Sequence, residues 1–180
     1  DLLHVQREDG RVEKAISSVG VGLDAQLVHT VAELRGATST SGGYHKWVKP
    51  AWNAFHDYPF PPLEIRVDEG GAFETALVVI QNSRNYGGLF TLSPDARLDS
   101  GRMEVVTVRA RTGLDLLRLG LRAGTGALHR DRQVKIVAGG KVRVRARQPV
   151  PVQADGDPSG TTDLLIELRP GALRLLRAAS

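Results

Sequence analysis

The sequence contains no cysteine, which excludes disulfides and thiolate metal sites and points to a cytoplasmic setting. It also lacks any apolar run near the roughly 20 residues that a membrane-spanning helix requires; the longest is Ala76-Leu-Val-Val-Ile80. No basic segment followed by an apolar one opens the chain at Asp1, so no signal peptide is read there, and the start on Asp rather than Met leads us to expect further sequence upstream. The five histidines, His4, His29, His45, His56 and His129, are scattered without metal-ligand spacing. Repeats, low-complexity stretches and dividing linkers are missing, so residues 1–180 are expected to form one domain. The net charge is only +4. So small an excess is compatible with a peripheral membrane surface, gives no reason to expect nucleic acid, and leaves an oligomer open.

What the chain does contain is strand after strand, separated by short turns. Asp1–Val5 and Val12–Val19 read as a hairpin through Glu8-Asp9-Gly10, and Leu63, Ile65 and Val67 alternate with polar residues. Phe73–Gln81 reads as one nearly continuous apolar strand buried on both faces. Met103–Arg109 is another strand. Val134–Val137 and Lys141–Arg147 read as a hairpin across Gly139-Gly140, and Leu164–Leu168 with Ala172–Leu176 as a final one around Pro170-Gly171. Arg143, Arg145 and Arg147 share one strand face, either solvated or turned to anionic lipid.

Three helices are expected among these strands. Asp24 reads as the N-cap of the first, with Leu27, Val28, Val31 and Leu34 at helical spacing and Gly36 at its end. Trp47, Val48, Ala51, Trp52 and Phe55 form an aromatic stripe, either core or, beside Lys46 and Lys49, membrane-facing. Leu114, Leu117 and Leu121 mark a third, amphipathic helix, capped by Thr112 and ending near Gly124. The pattern fits a mainly β (α+β) fold, a two-layer β-sandwich with about three inserted helices.

Two stretches carry candidate chemistry. Asn82-Ser-Arg-Asn-Tyr-Gly-Gly88 is a polar, glycine-containing loop on a rigid strand, which suits binding by Asn82, Asn85, Gly87 and Gly88. Asp155-Gly156-Asp157 sits between two β-rich segments. It reads either as hairpin punctuation or as a pair of acids on one side of a turn, where like charges split their pKa values and suit one carboxylate to take a proton from an alcohol. Glycines two apart in Ser18-Val-Gly-Val-Gly-Leu-Asp24 give only part of a dinucleotide fingerprint, since the third glycine is absent.

Four segments, in order and spacing, resemble the C-terminal domain of the diacylglycerol kinase and sphingosine kinase superfamily of lipid kinases. They are Val19-Gly-Val-Gly-Leu-Asp-Ala25, Asn85-Tyr-Gly-Gly88, Ser93-Pro-Asp-Ala-Arg-Leu-Asp-Ser-Gly-Arg-Met-Glu-Val105 and Val152-Gln-Ala-Asp-Gly-Asp157. The resemblance implies the second, β-rich domain of the NAD kinase/diacylglycerol kinase-like fold, working in cis with an N-terminal nucleotide-binding domain whose G-G-D-G-T loop this sequence lacks. It implies transfer of the γ-phosphoryl group of ATP to a lipid alcohol, with Mg2+. By position, Asp157 would be the proton acceptor and Asp155 its motif neighbour. Backbone carbonyls of Arg97, Ser100 and Arg102 would hold a structural magnesium.

The chain departs from that pattern at three places. Asp157 stands for a glutamate, Ser100 for the second aspartate of Asp-Asp-Gly, and Leu89 for a third glycine. A catalytically impaired relative that binds lipid or a partner is therefore one alternative expectation, and an NAD kinase relative is another.

Overall fold

The computed structural model describes residues 1–37, 58–87 and 90–174. Their strands form two six-stranded antiparallel sheets. The first, in spatial order, is β2 (Val12–Ala15), β1 (Leu2–Arg7), β14 (Leu164–Arg169), β11 (Lys141–Ala146), β4 (Leu63–Val67) and β5 (Phe73–Thr75). The second is β10 (Val134–Gly139), β9 (Met103–Val108), β6 (Leu77–Gln81), β3 (Ser18–Val21), β12 (Pro151–Ala154) and β13 (Asp157–Thr161). A separate short hairpin pairs β7 (Asn85–Tyr86) with β8 (Phe90–Thr91).

Alternation decides which side chains meet between the layers. Leu63, Ile65, Val142 and Val144 from the first sheet pack against Val19, Val21, Ile80 and Val105 from the second, all fully buried. Their neighbours Glu64, Arg66, Arg143 and Arg145 face outward. This is the expected two-layer sandwich, and the cations of β11 lie on an outer face where acids from β4 and β14 are interleaved; Lys141 pairs with Glu167 at 3.1 Å. On the outer face of the second sheet lie α1 (Leu23–Ala37) and α2 (Gly113–Gly124), over a smaller core of Leu23, Tyr58, Val106, Leu116, Leu119 and Leu128. Two α-helices are thus present among the described residues. The expected stripe from Trp47 to Phe55 lies outside them, as do Gly88 and residues 175–176 of the expected last hairpin; Ala172–Arg174 are not strand.

Three expected strand connections are corrected. Val12–Val19 is two strands, β2 in one sheet and β3 in the other, with the crossing at Ile16-Ser17. Phe73–Gln81 likewise divides at Ala76 into β5 and β6, on opposite sheets. Gly139-Gly140 is not a hairpin turn but a third crossing, from β10 to β11. A Cβ on Gly139 would lie 2.4 Å from Val67 Cγ1 and 2.9 Å from Asp68 Oδ2, so only glycine passes there. The Asp68 carboxylate, meanwhile, accepts the backbone N–H groups of Gly140 (3.1 Å) and Lys141 (2.8 Å). An apolar run continues unbroken through such a crossing because inner positions of both sheets face the same core, so periodicity alone does not reveal it.

The helices also differ from expectation in detail. Asp24 is not the N-cap of α1, which begins one residue before it. Thr112 does cap α2, forming a reciprocal box with Asp115. But Leu114, Leu117 and Leu121 point to solvent, and Leu116 and Leu119 fill the core instead.

Candidate functional site

Strand register brings the four motif segments to one end of the second sheet. Ala154 pairs with Val19, Ser18 with Gln81, and Gln81 with Glu104. The corners after Ala154 and Gln81 and before Ser18 and Met103 therefore lie side by side.

Above this end, α1 folds back over β3 and carries Asp24 inward. Its Oδ2 accepts the Tyr86 hydroxyl at 2.6 Å and the Gln153 Nε2–H at 3.2 Å, and Gln153 Nε2 also lies 3.2 Å from the Tyr86 oxygen. The opposite end of the Gln153 amide accepts the Gly156 N–H at 2.8 Å. One continuous hydrogen-bonded chain thus joins Asp24, Tyr86 and Gln153 to the Asp155-Gly156-Asp157 corner. Gly20 makes the approach feasible: a Cβ there would fall 1.9 Å from Asp24 Oδ2.

Asp24 is enclosed on most sides yet keeps a partly open edge. Loss of solvent raises its pKa above the ordinary 3.8, against the lowering effect of its bonds from Tyr86 and Gln153. Burial, and then the charge of Asp24, pushes the Tyr86 and Tyr58 hydroxyls upward. Both remain proton donors at neutral pH. The Tyr58 hydroxyl is buried without a hydrogen-bond partner among the described residues. A recessed carboxylate oriented by two donors can accept a hydrogen bond from a ligand hydroxyl while holding its rotamer.

At the corner the two acids differ. Asp155 is left-handed (φ 51°), and its carboxylate is fully engaged: Oδ2 accepts the Ile16 N–H at 2.6 Å, and Oδ1 those of Ser17 and Ser18 at 2.8 and 2.9 Å. It fastens the crossing from β2 to β3 to the β12–β13 turn. Asp157 begins β13 and is exposed, and its carboxylate accepts no hydrogen bond among the described residues. Gly156 takes φ 93°, as a glycine at such a turn can.

The expected binding loop splits in the same way. Asn82 is fully buried, and its Nδ2 donates to Ile16 O (2.8 Å) and Asp1 O (3.1 Å), a scaffold role at the same crossing. Asn85 and Gly87 are exposed on the β7–β8 hairpin beside Tyr86.

The corner 97–102, where the resemblance implies magnesium, has a donor set of carbonyl and hydroxyl oxygens. The Ser100 hydroxyl lies 3.1 Å from Arg97 O and 2.7 Å from Arg102 O, so it already occupies the space between the carbonyls that the resemblance assigns to the ion. Asp99 is turned to Arg97 at 3.2 Å, and no cluster of three His, Cys, Asp or Glu side chains suited to a metal exists among the described residues. With Asp99 turned away, the corner offers a hard dication only neutral carbonyl and hydroxyl oxygens, a weaker donor set than one that includes a carboxylate.

Sequence reasoning singled out Asp157 and the 82–88 loop but missed Tyr86 and Gln153 as site residues and took Asp24 for a cap. The signal was present in the glycine spacing: Gly20 two residues before Gly22 and four before Asp24 leaves the strand bare where the returning acid must sit.

Residues 17–177 match the family described as YegS C-terminal NAD kinase beta sandwich-like domain. A search of curated proteins finds no match. Among solved structures, one from Bacillus anthracis str. Sterne, assigned as a diacylglycerol kinase, superposes with a TM-score of 0.62 at 16% identity over 94% of this chain and 55% of that one. A second diacylglycerol kinase structure from the same organism gives 0.55 at 14% identity over 94% and 51%. At such identities the likeness is one of fold. The chain spans about half the length of these structures.

Proposed function

We propose that this chain, which belongs to the family of YegS C-terminal, NAD kinase beta sandwich-like domains, is the acceptor side of an ATP-dependent lipid kinase of diacylglycerol kinase type. Its partner in cis would be a nucleotide-binding domain that carries ATP. The single observation that supports this reading best is the hydrogen-bonded chain from Asp24 through Gln153 to Gly156, which unites three of the four motif segments around one recessed acid.

The chemistry follows from what each group is free to do. Asp24, oriented by Tyr86 and Gln153, accepts a hydrogen bond from a hydroxyl of the lipid and fixes its headgroup. Asp157, the unengaged acid of the corner, takes the proton of the attacking hydroxyl as its oxygen bonds to the γ-phosphorus and the bond to the ADP oxygen breaks. Asp155 and Asn82 hold the corner still. Magnesium bound with ATP would neutralise phosphate charge from the nucleotide side; the 97–102 corner of this chain has no part in that.

In the intact protein, Asp157→Asn is expected to lower kcat by about 10²–10⁴-fold with little change in melting temperature, because the side chain is exposed. Turnover equal to the wild type would remove Asp157 as the base. A second reading, a non-catalytic relative that binds lipid, is favoured by the hydroxyl of Ser100 where a carboxylate would be expected. Lipid binding without ATP consumption by the purified protein would establish it over the first.

A further inference from the structure

Helix α2 is apolar on two opposite faces. Leu116 and Leu119 pack into the small core, while Leu114, Leu117 and Leu121 remain 79%, 55% and 68% exposed. At 100° per residue the exposed three fall within one narrow stripe opposite the buried pair. With the opposite face already buried in the small core, this contiguous exposed leucine stripe calls for an apolar neighbour of its own.

Charge identifies that neighbour. Between Arg109 and Arg132 the chain has six arginines and two aspartates, a balance of +4 that equals the net charge of all 180 residues. Both aspartates are already committed. Asp115 caps α2, and Asp131 receives Arg118 and, at 3.1 Å, Arg122. Arg109, Arg111, Arg130 and Arg132 are exposed. Next to the helix start, a shallow cleft of about 440 Å³ sets Phe60 and Pro62 against Arg109 and Arg111, with Glu74 the one acid in its lining.

We infer that this face docks on an anionic lipid bilayer, with the leucine stripe entering the acyl boundary and the arginines meeting the headgroups. The buried side of α2 shares its core with Leu23 and Tyr86, so docking would bring the membrane to the side of the sandwich that carries Asp24. Its value to catalysis rests on the lipid-kinase reading; the docking itself does not.

The test is co-sedimentation of the intact protein with phosphatidylcholine vesicles, with and without phosphatidylglycerol. We expect binding that requires phosphatidylglycerol, weakens with salt, and falls on the order of 100-fold in the triple variant Leu114→Ser, Leu117→Ser, Leu121→Ser. That variant should keep its melting temperature, since it alters only exposed positions, and should still phosphorylate a detergent-dispersed short-chain lipid. Vesicle binding equal to wild type in the triple variant would overturn the inference. So would a dimer that the variant dissociates, or a lowered melting temperature, either of which would assign the stripe to a second copy or a neighbouring domain. Docking without any lipid product would refute the kinase reading alone, and lipid phosphorylation in detergent without docking would refute the membrane face alone.

Discussion

At the scale of single residues, Asp24 carries an electrostatic cost in the folded state. Its pKa is raised above 3.8 because burial disfavours the charged form more than Tyr86 and Gln153 favour it. The protonated form is therefore preferred by the folded state. That contribution to stability is full below pH 3.8 and is lost as pH rises through the folded-state value. Asp24→Asn keeps an acceptor for both donors and escapes the loss. We expect the variant to melt at the same or a higher temperature than wild type at neutral pH, with the advantage shrinking as pH falls through the folded-state value and gone below 3.8, while acceptor phosphorylation falls. Thermal melts across pH check this; a variant less stable at neutral pH would mean that Asp24 is structural.

The same residue marks a limit of sequence reasoning. An aspartate before a helical run reads as a cap because caps are local, whereas its contacts with Tyr86 and Gln153 join residues 62 and 129 positions away. Asp157 was legible as a candidate because glycine-flanked acids stand out in the chain itself. That its neighbour Asp155 is fully committed to three backbone N–H groups was not, since those donors lie more than 130 positions upstream.

At the scale of elements, the distinctive device is the strand that changes sheets. At Ile16-Ser17 the crossing leaves consecutive backbone N–H groups without ladder partners, and the Asp155 carboxylate satisfies them. Asp155→Ala removes that acceptor and puts alanine at a left-handed position. We expect a loss of about 2–3 kcal/mol in stability, measured by denaturant unfolding. Asp155→Asn, which tolerates the backbone angle and retains one oxygen, should cost less and keep most of the turnover per folded molecule. A large fall in kcat for Asp155→Asn at unchanged stability would return this residue to the chemistry. The strands themselves were legible as period-two runs; their division between two sheets was not, because both halves of each run face one shared core.

At the scale of the whole molecule, the sandwich was legible from strand succession and from the four ordered segments, and the fold agrees with both. Less legible was the asymmetry of its two outer faces. One bears the interleaved charges of β4, β11 and β14 and is suited to water. The other bears α1 and α2, the recessed Asp24 and the leucine stripe. The account's central claim is that this second face presents a lipid hydroxyl for phosphoryl transfer. It is tested most directly by incubating the intact protein with γ-labelled ATP, magnesium and either dispersed diacylglycerol or NAD, and following where the label goes. The account predicts label in the organic-extractable lipid, lost in both Asp24→Asn and Asp157→Asn. Label transferred to NAD, or to lipid equally well by both variants, would contradict it.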